Sequence, residues 1–330
     1  MTSSDQNRPK SGHGLLWLVG VLVALFALYS AGWFWTANRL KTETAGLIAA
    51  LASKGVQADC ANMAVAGYPL RLAVTCDSLA YQDDARAVAA SAGSVDAAAS
   101  LFAPLWPSAD FRGPLRTVAP GMTPLWIDWD GLRATTALWW PLPSRLTLAA
   151  EGLSGQTDPE DGDPVQLFSA GNAEAEFRPV GGDLAYSGRV SDLEIDAEAI
   201  GGRQVPPLDA SGDATIKNGL ALLRTGARSL RGQSIDIGKL QLSSGEARVT
   251  LSGPLSVDEQ GLIDARLEIR LRNPKAVGEV LGGVIPERKS QIEQGFAALA
   301  MLGGGAMPLT VVKGKASLGF IPLGRIGPVR

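Results

Sequence analysis

Hydrophobic and polar positions divide the chain into two unlike parts, the first of which is a long apolar run. Residues 14–38 contain no Asp, Glu, Lys or Arg, and almost every position in residues 15–28 is apolar. A run of about 20 apolar residues is long enough to cross the hydrocarbon core of a bilayer. Trp17 lies near one end of the run and Trp33 near the other, as in an interfacial aromatic belt. The pattern predicts a transmembrane helix at residues 14–36.

The segment after the apolar run keeps a helical pattern. Leu40, Leu47 and Leu51 recur at roughly helical spacing among good helix formers, which predicts a juxtamembrane helix at residues 37–55. A cleavable signal peptide is the alternative to a retained anchor, because small residues follow the apolar run at residues 30–32. The length of the run favours a signal anchor, which leaves residues 1–13 as a cytoplasmic tail.

Beyond residue 56 the pattern changes to an alternation with a period of two residues, which is typical of half-buried strands. The clearest example is a hairpin with one apolar face and one charged face, separated by a turn at residues 258–261. Its apolar positions are Val249, Leu251, Gly253, Leu255, Val257, Ile263, Ala265, Leu267, Ile269 and Leu271. Gly-rich and Pro-rich turns recur throughout this part, which predicts a long antiparallel sheet, a sandwich or a barrel.

A second helical pattern interrupts the predicted strands near the end of the chain. Apolar residues at helical spacing on both sides of Pro286 predict a pair of short helices at about residues 275–302. We therefore predict an α+β fold that is mainly antiparallel β. A large β-rich domain occupies residues 56–330 and contains this helix pair.

The chain has two cysteines, Cys60 and Cys76, which are 16 positions apart. A disulfide between them would tie the first predicted hairpin and would require an oxidising compartment. The alternative is a pair of buried free thiols, because cysteine also packs as a small apolar residue. The disulfide hypothesis places the β-rich domain outside the cytoplasm.

Composition and charge argue against several classes of function. The net charge of −3 gives no basic surface for nucleic acid, and the single histidine, His13, lies in the tail. Histidine bases, catalytic triads and histidine metal sites are therefore excluded from the β-rich domain. No phosphate-binding glycine loop or common serine-nucleophile motif occurs. We predict that the protein is not an enzyme and uses no cofactor or metal.

Tryptophan is concentrated in one stretch of the β-rich domain. This stretch predicts either a local aromatic core or an apolar groove or surface that meets a membrane or a partner. The residues concerned are Trp106, Trp126, Trp129, Trp139 and Trp140.

The order of features resembles a bacterial family, the domain of unknown function 2125 family. The resemblance is carried by the anchor, the run Gly67-Tyr68-Pro69-Leu70-Arg71-Leu72 with Cys76 after it, and a closing Gly319-Phe320-Ile321-Pro322-Leu323-Gly324. It implies no assigned activity and no catalytic residues. The strand-turn-strand segment at residues 251–265 also resembles AsmA-like proteins, which implies anchoring in the inner membrane and a long β-sheet groove linked to lipid transport.

Together these observations predict a single-pass protein of the inner membrane, with its C-terminal domain in the periplasm. The expected function is non-enzymatic: the sheet presents a groove to lipid or another hydrophobic ligand. The alternative is an anchored scaffold that binds other envelope proteins. The expected partners are thus the membrane, lipid and envelope proteins, and nucleic acid is not among them.

Overall fold

A computed structural model describes residues 12–53, 55–139, 143–159, 162–225, 230–301, 306–319 and 321–329 of the chain. Its first element, α1, is a helix of 41 residues at Gly12–Ala52. Such a helix is about 60 Å long, roughly twice the thickness of a bilayer's hydrocarbon core. The predicted transmembrane and juxtamembrane segments therefore form one continuous helix, which is longer than a single membrane span requires. By length and composition, α1 is able to cross a bilayer.

The remainder is mostly antiparallel sheet, as the sequence predicts. The first ten strands are β1 (Val56–Ala61), β2 (Ala64–Ala66), β3 (Arg71–Cys76), β4 (Ser78–Asp83), β5 (Val88–Ala92), β6 (Val95–Ser100), β7 (Ala103–Phe111), β8 (Leu115–Val118), β9 (Leu125–Asp128) and β10 (Gly131–Ala137). The next seven are β11 (Arg145–Thr157), β12 (Gln166–Val180), β13 (Asp183–Ile195), β14 (Leu208–Ile216), β15 (Ser234–Ser244), β16 (Ala247–Val257) and β17 (Ile263–Arg272). The last three are β18 (Met307–Val312), β19 (Lys315–Leu318) and β20 (Ile321–Arg325).

Short helices lie between the strands. The predicted helix pair is present as α3 (Pro274–Val284) and α4 (Lys289–Met301), with a 3-10 turn at Pro286–Arg288 between them. The Asn273 side chain accepts a hydrogen bond from the Ala276 backbone N–H and caps α3, whose first residue is proline. The sequence analysis missed α2 (Gly219–Thr225) and a 3-10 turn at Glu198–Ile200, both of which are too short to show a helical period.

The sheet forks at β11. The first half of β11 pairs with β10 and the second half with β9, while β12 pairs with both halves on the opposite side. One arm of the fork, the first arm, contains β9, β8, β5, β4 and β1. The second arm contains β10, β7, β6, β3 and β2. From β11 to β20, each strand pairs with the next along the chain.

The two arms are the two halves of the same chain segments. Each of the five segments β1–β2, β3–β4, β5–β6, β7–β8 and β9–β10 is interrupted near its middle, and its halves pair separately on either side of the interruption. We call the line of interruptions the crease. The sequence predicts a turn after Trp129, but the chain continues here from the first arm into the second, and β9 and β10 both pair with β11.

The sheet is open, which excludes the barrel from the architectures that the sequence predicts. Among the described residues, β1 and β20 each pair with a single neighbour, so the sheet does not close into a barrel. The protein exposes 21763 Å² of surface, whereas a compact monomer of its mass exposes about 13,000 Å². The exposed helix α1 and the open sheet both contribute to this excess.

Gly253 provides a test of a second irregular line, where the β14–β15 and β15–β16 pairings shift register and the β16–β17 pairing is interrupted. Its φ of +131° suits only glycine, and a Cβ atom there would lie 2.3 Å from the Arg266 carbonyl oxygen. We expect Gly253→Ala to lower the free energy of unfolding by about 2 kcal/mol. Gly182→Ala is the control, since the nearest atom to its Cβ would be 4.0 Å away. Urea titration measures both, and equal stability of the two variants would contradict the expectation.

Candidate functional site: an apolar face across the sheet

The strand register aligns apolar side chains into a row that crosses eleven strands. Residues paired directly across neighbouring strands share one face of a sheet. The first apolar row runs from β3 to β17 through Cys76, Val95, Phe111, Leu132, Ala150, Ala173, Val190, Ala210, Leu242, Val249 and Leu271. With neighbouring strands about 4.8 Å apart, the row is about 48 Å long.

A second apolar row lies beside the first, two residues along each strand. It contains Val65, Val74, Ala97, Ala109, Ala134, Leu148, Ala175, Gly188, Gly212, Leu240, Leu251, Ile269 and Met307. No member of either row carries a charge or a side-chain amide. We call the surface that contains the two rows the apolar face.

The opposite face of the same strands, the polar face, has the reverse character. One of its rows runs through Thr75, Asp96, Asp110, Arg133, Ala149, Glu174, Arg189, Ser211, Gln241, Thr250 and Arg270. Ion pairs cross it between Arg133 and Asp110 at 2.6 Å and between Arg189 and Glu174 at 3.1 Å. The hydrogen bond that Arg133 donates to Asp110 raises the pKa of Arg133. The polar face is thus adapted to water.

The crease joins the apolar rows of the two arms through a disulfide. Cys60 and Cys76 are bonded, with their Cα atoms 5.3 Å apart, which confirms the predicted pairing. Cys76 begins the first apolar row of the second arm. Cys60 begins an apolar row in the first arm that continues through Leu79, Ala92, Leu115, Ile127, Gly155, Phe168 and Ile195. The bond therefore places two apolar-row residues, one from each arm, side by side at the crease.

The helix pair covers the far end of the apolar face. Helix α3 contacts β16 and β17, and Gly278 of α3 allows Phe296 of α4 to approach closely. A cavity of about 590 Å³ lies between the helices and the strands, lined by Val249 and Leu271 of the first row among others. Its volume falls within the range of about 300–1,000 Å³ usual for small-molecule sites.

The middle of the apolar face is open. Tyr186 lies between Phe177 and Ala214 on the same face and is 36% exposed, while Leu240 and Leu242 are 38% and 43% exposed. Side chains of this size are usually buried in a folded domain. Helix α2 contacts β13 and its Gly219 lies against Leu184, but Tyr186, Leu240 and Leu242 remain exposed beside it. The apolar face is therefore an uncovered surface in its centre.

The structure separates the tryptophans that the sequence groups together. Trp126 lies in a polar row of the first arm, paired with Arg116 and Gln156, and the Arg116 guanidinium sits 5.3 Å from its ring centre. Trp129 lies at the crease and donates a hydrogen bond to the Phe111 carbonyl oxygen at 2.8 Å. Trp126 and Trp129 do not form one apolar surface, because Trp126 lies on β9 in a polar row whereas Trp129 follows the end of β9 at the crease.

Trp106 and Trp139 belong to the free end of the second arm. Trp106 and Trp139 are exposed there, on adjacent segments of β7 and the chain after β10. A backbone hydrogen bond of 2.8 Å from Leu138 to Leu105 joins these segments. Trp140 lies outside the described residues.

Comparison with models of known protein families identifies the family of this chain. A family model described as "Uncharacterized protein conserved in bacteria (DUF2125)" matches residues 33–327. The chain belongs to the DUF2125 family. This confirms the resemblance seen in the sequence, and the matched range includes the second half of α1 and nearly the whole sheet. No curated protein matches the chain. The resemblance to AsmA-like proteins stays a prediction.

The described residues do not bring together metal-ligating side chains. No group of three or more His, Cys, Asp or Glu residues is placed to hold an ion among them. The prediction that the protein is not an enzyme stays a prediction. What the sequence analysis missed is the alignment of apolar rows over eleven strands, because alternation within each strand does not reveal which residues pair between strands.

Proposed function

We propose that this protein is an anchored component of the bacterial cell envelope whose apolar face carries the hydrocarbon chains of lipids. In this proposal α1 holds the protein in the inner membrane and the sheet lies in the periplasm. The observation that supports the proposal most directly is the pair of uninterrupted apolar rows on an open face.

The length and composition of the rows fit hydrocarbon better than a protein partner. Contiguous exposed apolar patches larger than a few hundred Å² are rare on soluble monomers and mark interaction sites. Protein interfaces carry roughly one hydrogen bond per 100–200 Å², and the two rows offer no charged or amide side chain for such bonds. A length of about 48 Å is roughly three times the thickness of one hydrocarbon leaflet. The face therefore has room for more than one lipid end to end.

The periplasmic location is supported by the disulfide. Disulfides persist in oxidising compartments such as the bacterial periplasm and are rare in the cytosol. Cys60 and Cys76 are bonded, and both lie in strands of the sheet, which begins four residues after the end of α1. The compartment that permits this bond is therefore the compartment of the sheet.

A photo-crosslinking experiment on the full chain in its own membrane tests the lipid proposal. A photoreactive benzoylphenylalanine replaces Leu242 on the apolar face or, as the control, the adjacent Gln241 on the polar face. After irradiation, the mass of the purified protein reports the adduct. We expect a lipid adduct from position 242 that exceeds the adduct from position 241 about tenfold, because only the apolar face removes hydrocarbon from water.

Two results would contradict the lipid proposal. Equal lipid adducts at both positions would indicate nonspecific contact with the membrane. A protein adduct at position 242 without lipid would instead support the scaffold function, in which the apolar face binds another envelope protein.

A further inference from the structure

The turn between β2 and β3 packs against α1 within the apolar run of the helix. Tyr68 stacks on Phe34 with ring centres 5.3 Å apart and meets Trp33 and Phe26 edge-on at 5.4 Å and 6.4 Å. The Tyr68 hydroxyl also lies 2.7 Å from the Ser30 hydroxyl. Since residues 26–34 belong to the second half of the predicted membrane span, the turn lies at the depth of the bilayer rather than above it.

The polar groups of this turn are satisfied in a way that suits an apolar environment. The Tyr29 hydroxyl donates a hydrogen bond to the Pro69 carbonyl oxygen, and the Trp33 indole N–H donates to the Arg71 carbonyl oxygen at 3.2 Å. The Arg71 backbone N–H donates to the Gly67 carbonyl oxygen at 2.9 Å. Backbone groups that enter lipid need such internal partners, because no water is available there.

The neighbouring turns of the second arm continue this apolar edge. The Leu101 backbone N–H donates a hydrogen bond to the Leu70 carbonyl oxygen at 2.8 Å, which ties the β6–β7 turn to the turn on α1. Phe102 at the tip of the β6–β7 turn is 83% exposed, and Trp139 is 68% exposed. We call these exposed side chains the rim; it consists of Tyr68, Leu70, Leu101, Phe102, Leu105, Trp106, Leu138 and Trp139.

The charge pattern distinguishes the two ends of the sheet. Residues 101–107, 138 and 139, which form or adjoin the rim, contain no charged side chain. The turns at the opposite end contain Asp83, Asp84 and Arg86 after β4, and Asp158 and Asp163 between β11 and β12. Uncharged turns with exposed Trp, Phe and Leu are typical of segments that enter a membrane interface.

We propose that the rim inserts into the leaflet of the bilayer that α1 spans, and that lipid chains reach the apolar face there. Leu70 lies just before β3, and the alternation Leu72, Val74, Cys76 along β3 leads from the rim onto both apolar rows. The rim thus joins the membrane to the apolar face without an intervening polar surface. The part of the proposal that concerns lipid entry rests on the proposed function, whereas insertion of the rim does not.

A fluorescence experiment on the full chain in vesicles tests insertion of the rim. A single cysteine replaces Phe102 at the rim or, as the control, Met122 at the opposite end of the sheet, where Met122 is equally a large exposed apolar residue. Both are labelled with an environment-sensitive fluorophore, and the vesicles contain lipids with brominated chains. We expect a blue shift and a loss of emission for the label at position 102, and neither change for the label at position 122. Unquenched emission at both positions, or equal quenching at both, would overturn insertion.

A second measurement separates rim insertion from lipid transport. In the photo-crosslinking experiment at position 242, the double variant Phe102→Asp/Trp106→Asp is expected to reduce the lipid adduct about tenfold. The reason is that charged side chains in the rim make its insertion into the bilayer unfavourable. Met122→Asp is expected to leave the adduct unchanged. If the label at position 102 is quenched but the parent protein forms no lipid adduct, insertion of the rim is supported and the lipid function is refuted. A lipid adduct that the double variant does not reduce would refute entry through the rim.

Discussion

Removal of the disulfide between Cys60 and Cys76 is expected to lower the free energy of unfolding by about 3 kcal/mol. The bond closes a loop with a sequence separation of 16 residues, and closing a loop of this size restricts the unfolded chain by an amount of that order. It also joins β1 of the first arm to β3 of the second arm at the crease, where the strand pairs are interrupted. Urea denaturation of the double variant Cys60→Ala/Cys76→Ala, followed by circular dichroism, measures the change.

The reduced parent protein is the control for this prediction. If the loss of stability comes from the bond and not from the new side chains, the parent protein in reductant has the same unfolding midpoint as the double variant. A double variant as stable as the oxidised parent protein would show that the arms are held together without the bond. Parent protein isolated from cells without reductant reports the compartment: a bond formed in cells leaves both cysteines resistant to alkylation until reductant is added.

Several parts of the fold follow from local patterns in the sequence. The apolar run before Asn38 is enough to predict a membrane helix, because its length alone matches a bilayer. The alternation around Leu251 and Leu267 predicts strands with one apolar face, and both residues indeed lie on that face. The break at Pro286 correctly separates two helices, because proline disfavours a helix interior. In each case the signal lies within about twenty residues.

The crease and the apolar rows could not be predicted in the same way, because they depend on pairing between distant segments. Trp126 follows the alternation of β9, but only the register with Arg116 shows that it belongs to a polar row. Asp130 and Gly131 are typical of a turn in sequence, yet β9 and β10 pair with β11 and not with each other. The position of Tyr68 against α1 likewise depends on where a distant turn meets the helix.

A charge placed in the middle of the apolar face is expected to disrupt lipid binding more than any other single change. Ala210 lies in the first apolar row between Val190 and Leu242, so an aspartate there has no basic neighbour along the row. Hydrocarbon laid over an unpaired carboxylate removes water from it, which costs several kcal/mol. We therefore expect Ala210→Asp to reduce the lipid adduct at position 242 at least about tenfold in the photo-crosslinking experiment.

Ser211→Asp is the matched control, because it places the same charge one residue away on the polar face, paired with Arg189 and Gln241. Without lipid, both positions are open to water, and we expect each variant to change the free energy of unfolding by less than about 0.5 kcal/mol. A difference between the variants in lipid adduct, at equal stability, would then arise from the face that carries the charge. If both variants retained the adduct, lipid would have to reach position 242 without lying over Ala210, and the apolar row would not be its path. If both variants lost the lipid adduct, the loss would come from a charge anywhere on β14 and not from a charge on the apolar face.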